Sequence, residues 1–355
     1  MLARANRFPG SFGMERIRID RPGDYDRLRL ETVPDPTPGP GEVAVDVAAA
    51  GVNYADCVVR MGLYASAREL VGYPITPGFE VAGTVAALGA DTDGPPPGTR
   101  VMGVTLFGGY ASRVCLPAAQ VFPIPQDLPF EAAAGFPTVF LTAWYALHQL
   151  AHPHPGDLVL VHSAAGGVGG ALLQLARRLD CRVVGVVGNP GKASVALALG
   201  AGNVFVRSDG LWDELAAISP GGYDVILDAN GGPSLRYGYR HLAPGGKLVV
   251  YGFHTMLPRN RGRPSWPKLI YDYMRTPRFN PLTLTKDNRS VLAFNLSFMS
   301  DKADLLTKGL KDMLAWLAAG EIRPLAVTTV PFRDVARAHR ALESGETTGK
   351  LVLVV

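Results

Sequence analysis

The chain has 355 residues, 47% of them hydrophobic and 19% charged, with a formal net charge of +4. That balance excludes an intrinsically disordered chain and describes a globular protein long enough for two domains. The charge is too mild to argue for nucleic acid. No run has the length and apolarity of a membrane span, and the N-terminus lacks the apolar core of a secretory signal. Cys57, Cys115 and Cys181 are too scattered for a disulfide framework or a metal-spacing cluster, and they suit a reducing, cytoplasmic location.

Residues 1–13 show no periodicity and read as a loose extension. Strand-like runs then follow at Arg16–Asp20, Leu28–Val33, Glu42–Val47, Val81–Leu88, Arg100–Val104, Ala111–Leu116 and Val121–Pro125, with a short helix expected over Tyr54–Met61. Gly and Pro punctuate them, as in Gly94-Pro95-Pro96-Pro97-Gly98, which suggests a compact barrel-like domain. From about Phe130, strands alternate with helices. Leu158–His162, Arg182–Val187, Val204–Val206, Asp224–Asp228, Lys247–Tyr251 and Val291–Leu296 predict an α/β fold with a six-stranded, doubly wound parallel sheet. The tail returns to strand at Leu325–Val330 and Leu351–Val355, around a helix near Asp334–Leu342, and is expected to rejoin the first domain. The domains are therefore expected at 14–135 with 322–355, and at 136–321.

The most informative stretch is Val159-Leu160-Val161-His162-Ser163-Ala164-Ala165-Gly166-Gly167-Val168-Gly169-Gly170. An apolar strand runs into a small-residue turn. A helix follows, with Leu172, Leu175, Ala176 and Leu179 on one face. Such a turn lets backbone approach a dinucleotide pyrophosphate, with free N–H groups and the helix dipole attracting the anion. Ala165, Gly166, Gly167 and Val168 are the candidate contacts. The first position of the usual G-x-G-x-x-G pattern is Ala164, so the turn alone also suits an α/β protein without a nucleotide.

An NAD-preferring site places Asp or Glu about 20 residues after the glycines, to hold the ribose 2′-hydroxyl. Val187-Gly188-Asn189-Pro190-Gly191-Lys192 has no acid there. Gly188 leaves room for a 2′-phosphate. Lys192 offers it a charge, unless it is a solvated lysine at a helix start, and Arg207 offers a planar fork. NADPH is the expected cofactor.

With these residues in place, the chain resembles the zinc-free quinone oxidoreductases of the medium-chain dehydrogenase/reductase superfamily, and within them the VAT-1-like subgroup. The resemblance runs from Met14 to Val355. Ala50-Gly51-Val52-Asn53-Tyr54-Ala55-Asp56, Arg60-Met61-Gly62-Leu63-Tyr64, Pro77-Gly78-Phe79-Glu80-Val81-Ala82-Gly83, Leu141-Thr142-Ala143-Trp144, Leu227-Asp228-Ala229-Asn230-Gly231-Gly232 and Gly349-Lys350-Leu351 carry it together with the glycine turn. It implies a GroES-like β-barrel catalytic domain, a Rossmann domain, a cofactor cleft between them, and a homodimer formed through the edge strand Val291–Leu296. Zinc-dependent cousins place Cys where this chain has Asn53 and His where it has Phe79. Catalytic zinc needs three N, S or O ligands, so no metal is expected.

Without a Lewis acid an alcohol is hard to oxidise, whereas a quinone or an α,β-unsaturated carbonyl accepts hydride more readily. The resemblance assigns Asn53 to the nicotinamide or the substrate oxygen; the residue also suits an N-cap for the helix at Tyr54. Tyr64 is the candidate proton donor or a wall aromatic, with Tyr54 as the alternative donor. Thr142 resembles a nicotinamide-ribose contact. Asn230, Tyr251-Gly252-Phe253 and Phe294-Asn295-Leu296 resemble parts of the cofactor cradle, and Lys350 is expected to reach the phosphates. At Arg207 the family usually has Tyr beside the adenine.

The segment 256–289 is long, basic and interleaved with aromatics, including Arg259, Arg261, Arg263, Lys268 and Arg275 with Trp266, Tyr271 and Tyr273. It reads as a solvated excursion with a helix near Trp266–Arg275, as a lid, or as a surface for anionic lipid or acidic partners. The functional expectation is an NADPH-dependent reductase of a small quinone or enone. Its rivals are a reductase of carrier-bound unsaturated acyl groups and a cofactor-binding membrane or partner interaction protein with little turnover.

Overall fold

The computed structural model describes residues 13–257 and 262–355. The expected N-terminal extension falls outside them apart from Gly13, as do Arg259 and Arg261 of the basic segment. The strands are β1 (Met14–Arg18), β2 (Arg29–Val33), β3 (Glu42–Val52), β4 (Glu80–Leu88), β5 (Arg100–Val104), β6 (Arg113–Pro117), β7 (Val121–Pro123), β8 (Leu158–His162), β9 (Arg182–Val187), β10 (Asn203–Val206), β11 (Tyr223–Asp228), β12 (Leu242–Val250), β13 (Ser290–Ala293), β14 (Val327–Pro331) and β15 (Lys350–Val354). The helices are α1 (Tyr54–Arg60), α2 (Phe130–Ala134), α3 (Pro137–Trp144), α4 (Gly167–Arg178), α5 (Ala193–Ala198), α6 (Leu211–Ile218), α7 (Ser234–Arg240), α8 (Trp266–Arg275), α9 (Pro281–Asp287), α10 (Ala303–Ala318) and α11 (Val335–Ser344).

Six parallel strands stand in the order β10-β9-β8-β11-β12-β13. All five residues of β8 are buried, because helices cover both faces of a parallel sheet. The strand order reverses between β8 and β11, and ligands of open α/β sheets bind at the carboxyl ends of the strands beside such a reversal. The α/β expectation therefore holds. The sixth strand is shorter than predicted: it ends at Ala293, and Phe294-Asn295-Leu296 lie beyond it. Asn295 caps a tight turn there, accepting from the Ser297 N–H at 3.0 Å.

The other large sheet runs β14-β15-β3-β4-β5-β7, with β6 also paired to β3. The tail strand β15 is antiparallel to β3, setting Leu351 opposite Val52. Strand β3 continues five residues beyond its predicted end at Val47, through Ala48-Ala49-Ala50-Gly51-Val52. Small residues carry little strand signal, but here they let neighbours approach. A Cβ on Gly51 would stand 2.4 Å from both the Ala134 carbonyl and Glu80 Oε1.

One continuous core joins the halves. It runs from Ala49, Ala82 and Met102 through Phe136, Phe140 and Leu147 to Val159, Leu172, Leu175 and Val352. Beneath α1 lies a second anchor. Arg60 and Glu343 form a 2.7 Å ion pair with both side chains wholly buried. The Tyr25 phenol donates to Glu343 at 2.7 Å, and Arg60 donates to the Gly262 carbonyl at 3.0 Å. On α8 and α9 of the basic excursion, Trp266, Ile270, Tyr273, Met274 and Leu282 are exposed. Among the described residues no helix is long and apolar enough to cross a membrane.

Removing one member of a buried pair strands the other charge. Arg60→Met is expected to lower the unfolding free energy by about 3–5 kcal/mol. Urea denaturation checks this; a loss below about 1 kcal/mol would show that Glu343 finds adequate compensation elsewhere.

Candidate active site

The glycine turn is built for close approach. Ser163 takes a left-handed φ of 55° as the chain leaves β8, and Gly166 forms the N-cap of α4. A Cβ on Gly169 would lie 2.2 Å from the Ser163 carbonyl, and one on Gly167 would lie 2.9 Å from Val139 Cγ1. The first-turn N–H groups of Gly167, Val168 and Gly169 have no acceptor within their own helix, as at any helix N-terminus, where such groups suit an anion. The Ala165 carbonyl accepts from the Gly349 N–H at 2.9 Å, so the tail is stitched to the turn.

At the end of β9, a Cβ added to Gly188 would meet nothing within 4 Å. Lys192 is not a solvated helix-start lysine: its ammonium donates to the Gly345 and Thr347 carbonyls at 2.5 and 2.8 Å. Asn189 donates to Glu346 at 2.9 Å. Sequence reasoning missed that acid because it arrives from a turn 157 positions downstream. Arg207 donates to Asn230 Oδ1 at 2.8 Å. The backbone N–H groups of Asn230 and Gly231 are held by Asp228, at 2.6 and 2.9 Å.

The surroundings of Asn53 depart most from expectation. Lys350 does not reach the phosphate turn. It is 3% exposed, and its ammonium donates to the Val52 carbonyl at 2.9 Å, Asn53 Oδ1 at 2.5 Å and Glu80 Oε1 at 2.7 Å. Pairing β15 with β3 places it there, within reach of a carboxylate that an exposed lysine would not need. Asn53 Nδ2 donates to the same Glu80 oxygen at 2.8 Å, and Glu80 Oε2 accepts from the Thr138 N–H at 2.7 Å. Asn53 is at the same time the N-cap residue of α1, in a capping box with Asp56. Asp56 Oδ2 accepts from the Asn53 N–H at 2.8 Å and the Tyr110 phenol at 3.0 Å, and its Oδ1 from the Gly78 N–H at 2.9 Å. Burial pushes the Asp56 carboxyl up to about 7 against the pull of these donors.

Two tyrosines bridge the halves. The Tyr64 phenol lies 2.8 Å from Ser297 Oγ and donates to Asn295 Oδ1 at 3.2 Å. Its ring packs edge-on against Phe79 and Phe107, and burial raises its pKa, so the phenol stays protonated. The Tyr54 phenol donates to the His254 carbonyl at 3.4 Å. Tyr251 follows β12 directly and buries its hydroxyl without a hydrogen-bond partner; Gly252 and the half-exposed Phe253 come next. Thr142 on α3 donates to the Thr138 carbonyl at 2.7 Å. Phe294 packs against Tyr145, with ring centroids 4.9 Å apart, and Leu296 is half-buried against the main core. Ser297 was not foreseen, since nothing in its local sequence marks a partner for Tyr64.

A glycine turn at a strand-order reversal, beside a second, largely antiparallel sheet, is an architecture shared with solved oxidoreductases. Residues 39–126 match the alcohol dehydrogenase GroES-like domain and residues 199–353 the zinc-binding dehydrogenase family. The chain belongs to the medium-chain dehydrogenase/reductase superfamily. It is 34% identical over 340 residues to the synaptic vesicle membrane protein VAT-1 homolog of Rattus norvegicus, covering 94% of this chain and 82% of that protein. The NADPH complex of Escherichia coli quinone oxidoreductase superposes with a TM-score of 0.82 at 26% identity, covering 96% of this chain and all of that one. The CurK enoyl reductase superposes with a TM-score of 0.83 at 25% identity, covering 96% and 99%.

Zinc, named in the family's description, does not fit this site. Phe79 has no donor atom, both amide atoms of Asn53 are engaged, and Glu80 already holds an ammonium, an amide and a backbone N–H. Elsewhere among the described residues, Cys57, His339 and Glu343 cluster with their ligating atoms within 4.8 Å. There the Arg60 guanidinium already supplies Glu343 with its cation.

Gly169→Ala forces the turn open by its contact with Ser163. It is expected to weaken dinucleotide binding at least tenfold while leaving the far-ultraviolet circular dichroism unchanged. Fluorescence titration checks this, and unaltered affinity would remove the turn from the site.

Proposed function

We propose that the protein is an NADPH-dependent, zinc-independent reductase of quinones or α,β-unsaturated carbonyls. The observation that carries this reading is the pairing of an open glycine turn with a cleft centre that offers an amide donor in place of a metal. The NADPH-bound quinone oxidoreductase among its structural neighbours supports the cofactor.

In this reading the N–H groups of Gly167 and Val168, beside Ala165 and Gly166, receive the pyrophosphate. Gly188, Lys192 and Arg207, with Asn230, line the 2′-phosphate end. Thr142, Tyr251, Gly252, Phe253, Phe294, Asn295 and Leu296 surround the nicotinamide. NADPH, when bound, supplies the hydride. Asn53 then donates to the acceptor oxygen as negative charge gathers there. The Tyr64 phenol, kept protonated by burial and steered by Ser297 and Asn295, donates the proton when the acceptor is an enone. A quinone draws its protons from water. Tyr54, tied to the His254 loop, is the alternative donor. The enoyl reductase neighbour favours a second acceptor class, a carrier-bound unsaturated acyl group. A homodimer through β13 would cover the open sheet edge.

Purified protein is expected to oxidise NADPH in the presence of a quinone or an enone, with or without a chelator. NADPH binding without turnover on any acceptor of a broad panel would leave the interaction-protein reading standing. Tyr64→Phe should lower enone turnover by about tenfold or more and leave quinone turnover nearly unchanged; unchanged turnover on both would assign the ring a shaping role, and equal losses on both would limit the hydroxyl to holding Ser297 and Asn295.

The 2′-phosphate assignment has its own check. Lys192→Ala should weaken NADPH by about tenfold and NADH far less. Equal losses in a competition titration would mean that Lys192 serves only the 345–347 turn.

A further inference from the structure

We infer that Lys350 and Glu80 are positioning residues that fix the polarity of the Asn53 amide, so that it presents a donor and never an acceptor to the cleft. This rests on the reductase reading for its consequence, but the amide's orientation is a matter of hydrogen-bond chemistry alone.

An ammonium has three donors and no acceptor, and an ionised carboxylate only accepts. All three Lys350 N–H bonds have acceptors, in the Val52 carbonyl, Asn53 Oδ1 and Glu80 Oε1. Both Glu80 oxygens are occupied, one by Lys350 and Asn53 Nδ2, the other by the Thr138 N–H. Turning the amide over would set its NH2 against the ammonium and its carbonyl against the carboxylate. Two attractions would become two repulsions among side chains that are 0–7% exposed, where water screens little. One Nδ2 hydrogen remains after Glu80 has taken its share. The ammonium on Oδ1 polarises the amide and strengthens that remaining N–H as a donor. An acceptor oxygen that gains charge as hydride arrives needs a donor of this kind. A freely rotating amide would offer its carbonyl part of the time.

The test removes both charges together, so that no lone charge stays buried. Lys350→Met with Glu80→Gln keeps volume and packing while allowing the amide to turn. In the wild-type protein labelled with isotope-enriched asparagine, one Asn53 side-chain amide proton should resonate downfield and exchange slowly; in the double variant that signature should be lost. Enone turnover should fall by about tenfold or more in kcat with KM and NADPH affinity within about threefold. Adding Asn53→Ala to the double variant should cost little further, whereas the same change in the wild-type protein costs as much as the double substitution. An amide signal that is identical in the two proteins overturns the proposal whatever the turnover. Losses that simply add overturn it as well. Absence of wild-type turnover counts against the reductase reading alone, because the resonance test needs no substrate.

Discussion

The Glu80–Lys350 ion pair is withdrawn from water, and much of the surrounding architecture answers to that fact. Desolvating two charges costs several kcal/mol each, and their attraction offsets this only if the remaining donors and acceptors are satisfied. The Val52 carbonyl, the Asn53 amide and the Thr138 N–H supply that satisfaction from β3, its end and α3. Space is constrained as tightly as polarity. A Cβ on Gly51 would lie 2.4 Å from Glu80 Oε1, and one on Gly135 would lie 2.8 Å from Lys350 Cγ. Gly51 is therefore small for a reason set by a carboxylate on another strand.

The same dipeptide that delivers Lys350 also touches the glycine turn. Gly349, at a left-handed φ of 60°, donates to Ala165. An anion seated on the turn and a reacting group beside Asn53 would share this piece of backbone. Further ties join the two halves: Tyr64 to Ser297 and Asn295, Tyr54 to His254, and Arg60 to Gly262. The two halves meet through polar contacts made by α1 and the loop behind it, with the apolar core running continuously beneath.

Much of the fold was legible because periodicity reports burial. The all-buried β8, the helix face of Leu172, Leu175 and Ala176, and the alternation of strands and helices follow directly from side-chain spacing. Boundaries slipped where that signal fades. Strand β3 continued through alanines and glycine, and β13 stopped at Ala293 because Asn295 turns the chain. In the candidate site, the glycine turn between β8 and α4 was readable from residue type and order. Lys350 was expected at the phosphates and lies beside Asn53 instead, Glu80 was quoted in a motif without a role, and Ser297 and Glu346 were not singled out. Each acts on a residue distant in sequence, and no local pattern marks such a partner.

The sequence by itself determined the family, the parallel sheet and its phosphate-type turn, and the lack of zinc ligands at Asn53 and Phe79. These depend on residue identity and on spacing along one chain. Only the tertiary structure decided which groups the charged residues meet. Lys192 reaches the Gly345 and Thr347 carbonyls, Lys350 the Asn53 amide oxygen, and Arg60 a buried glutamate. The physical reason is that a charge takes its role from whatever lies within a few ångströms of it. For these residues those neighbours come from strands and helices far away in sequence.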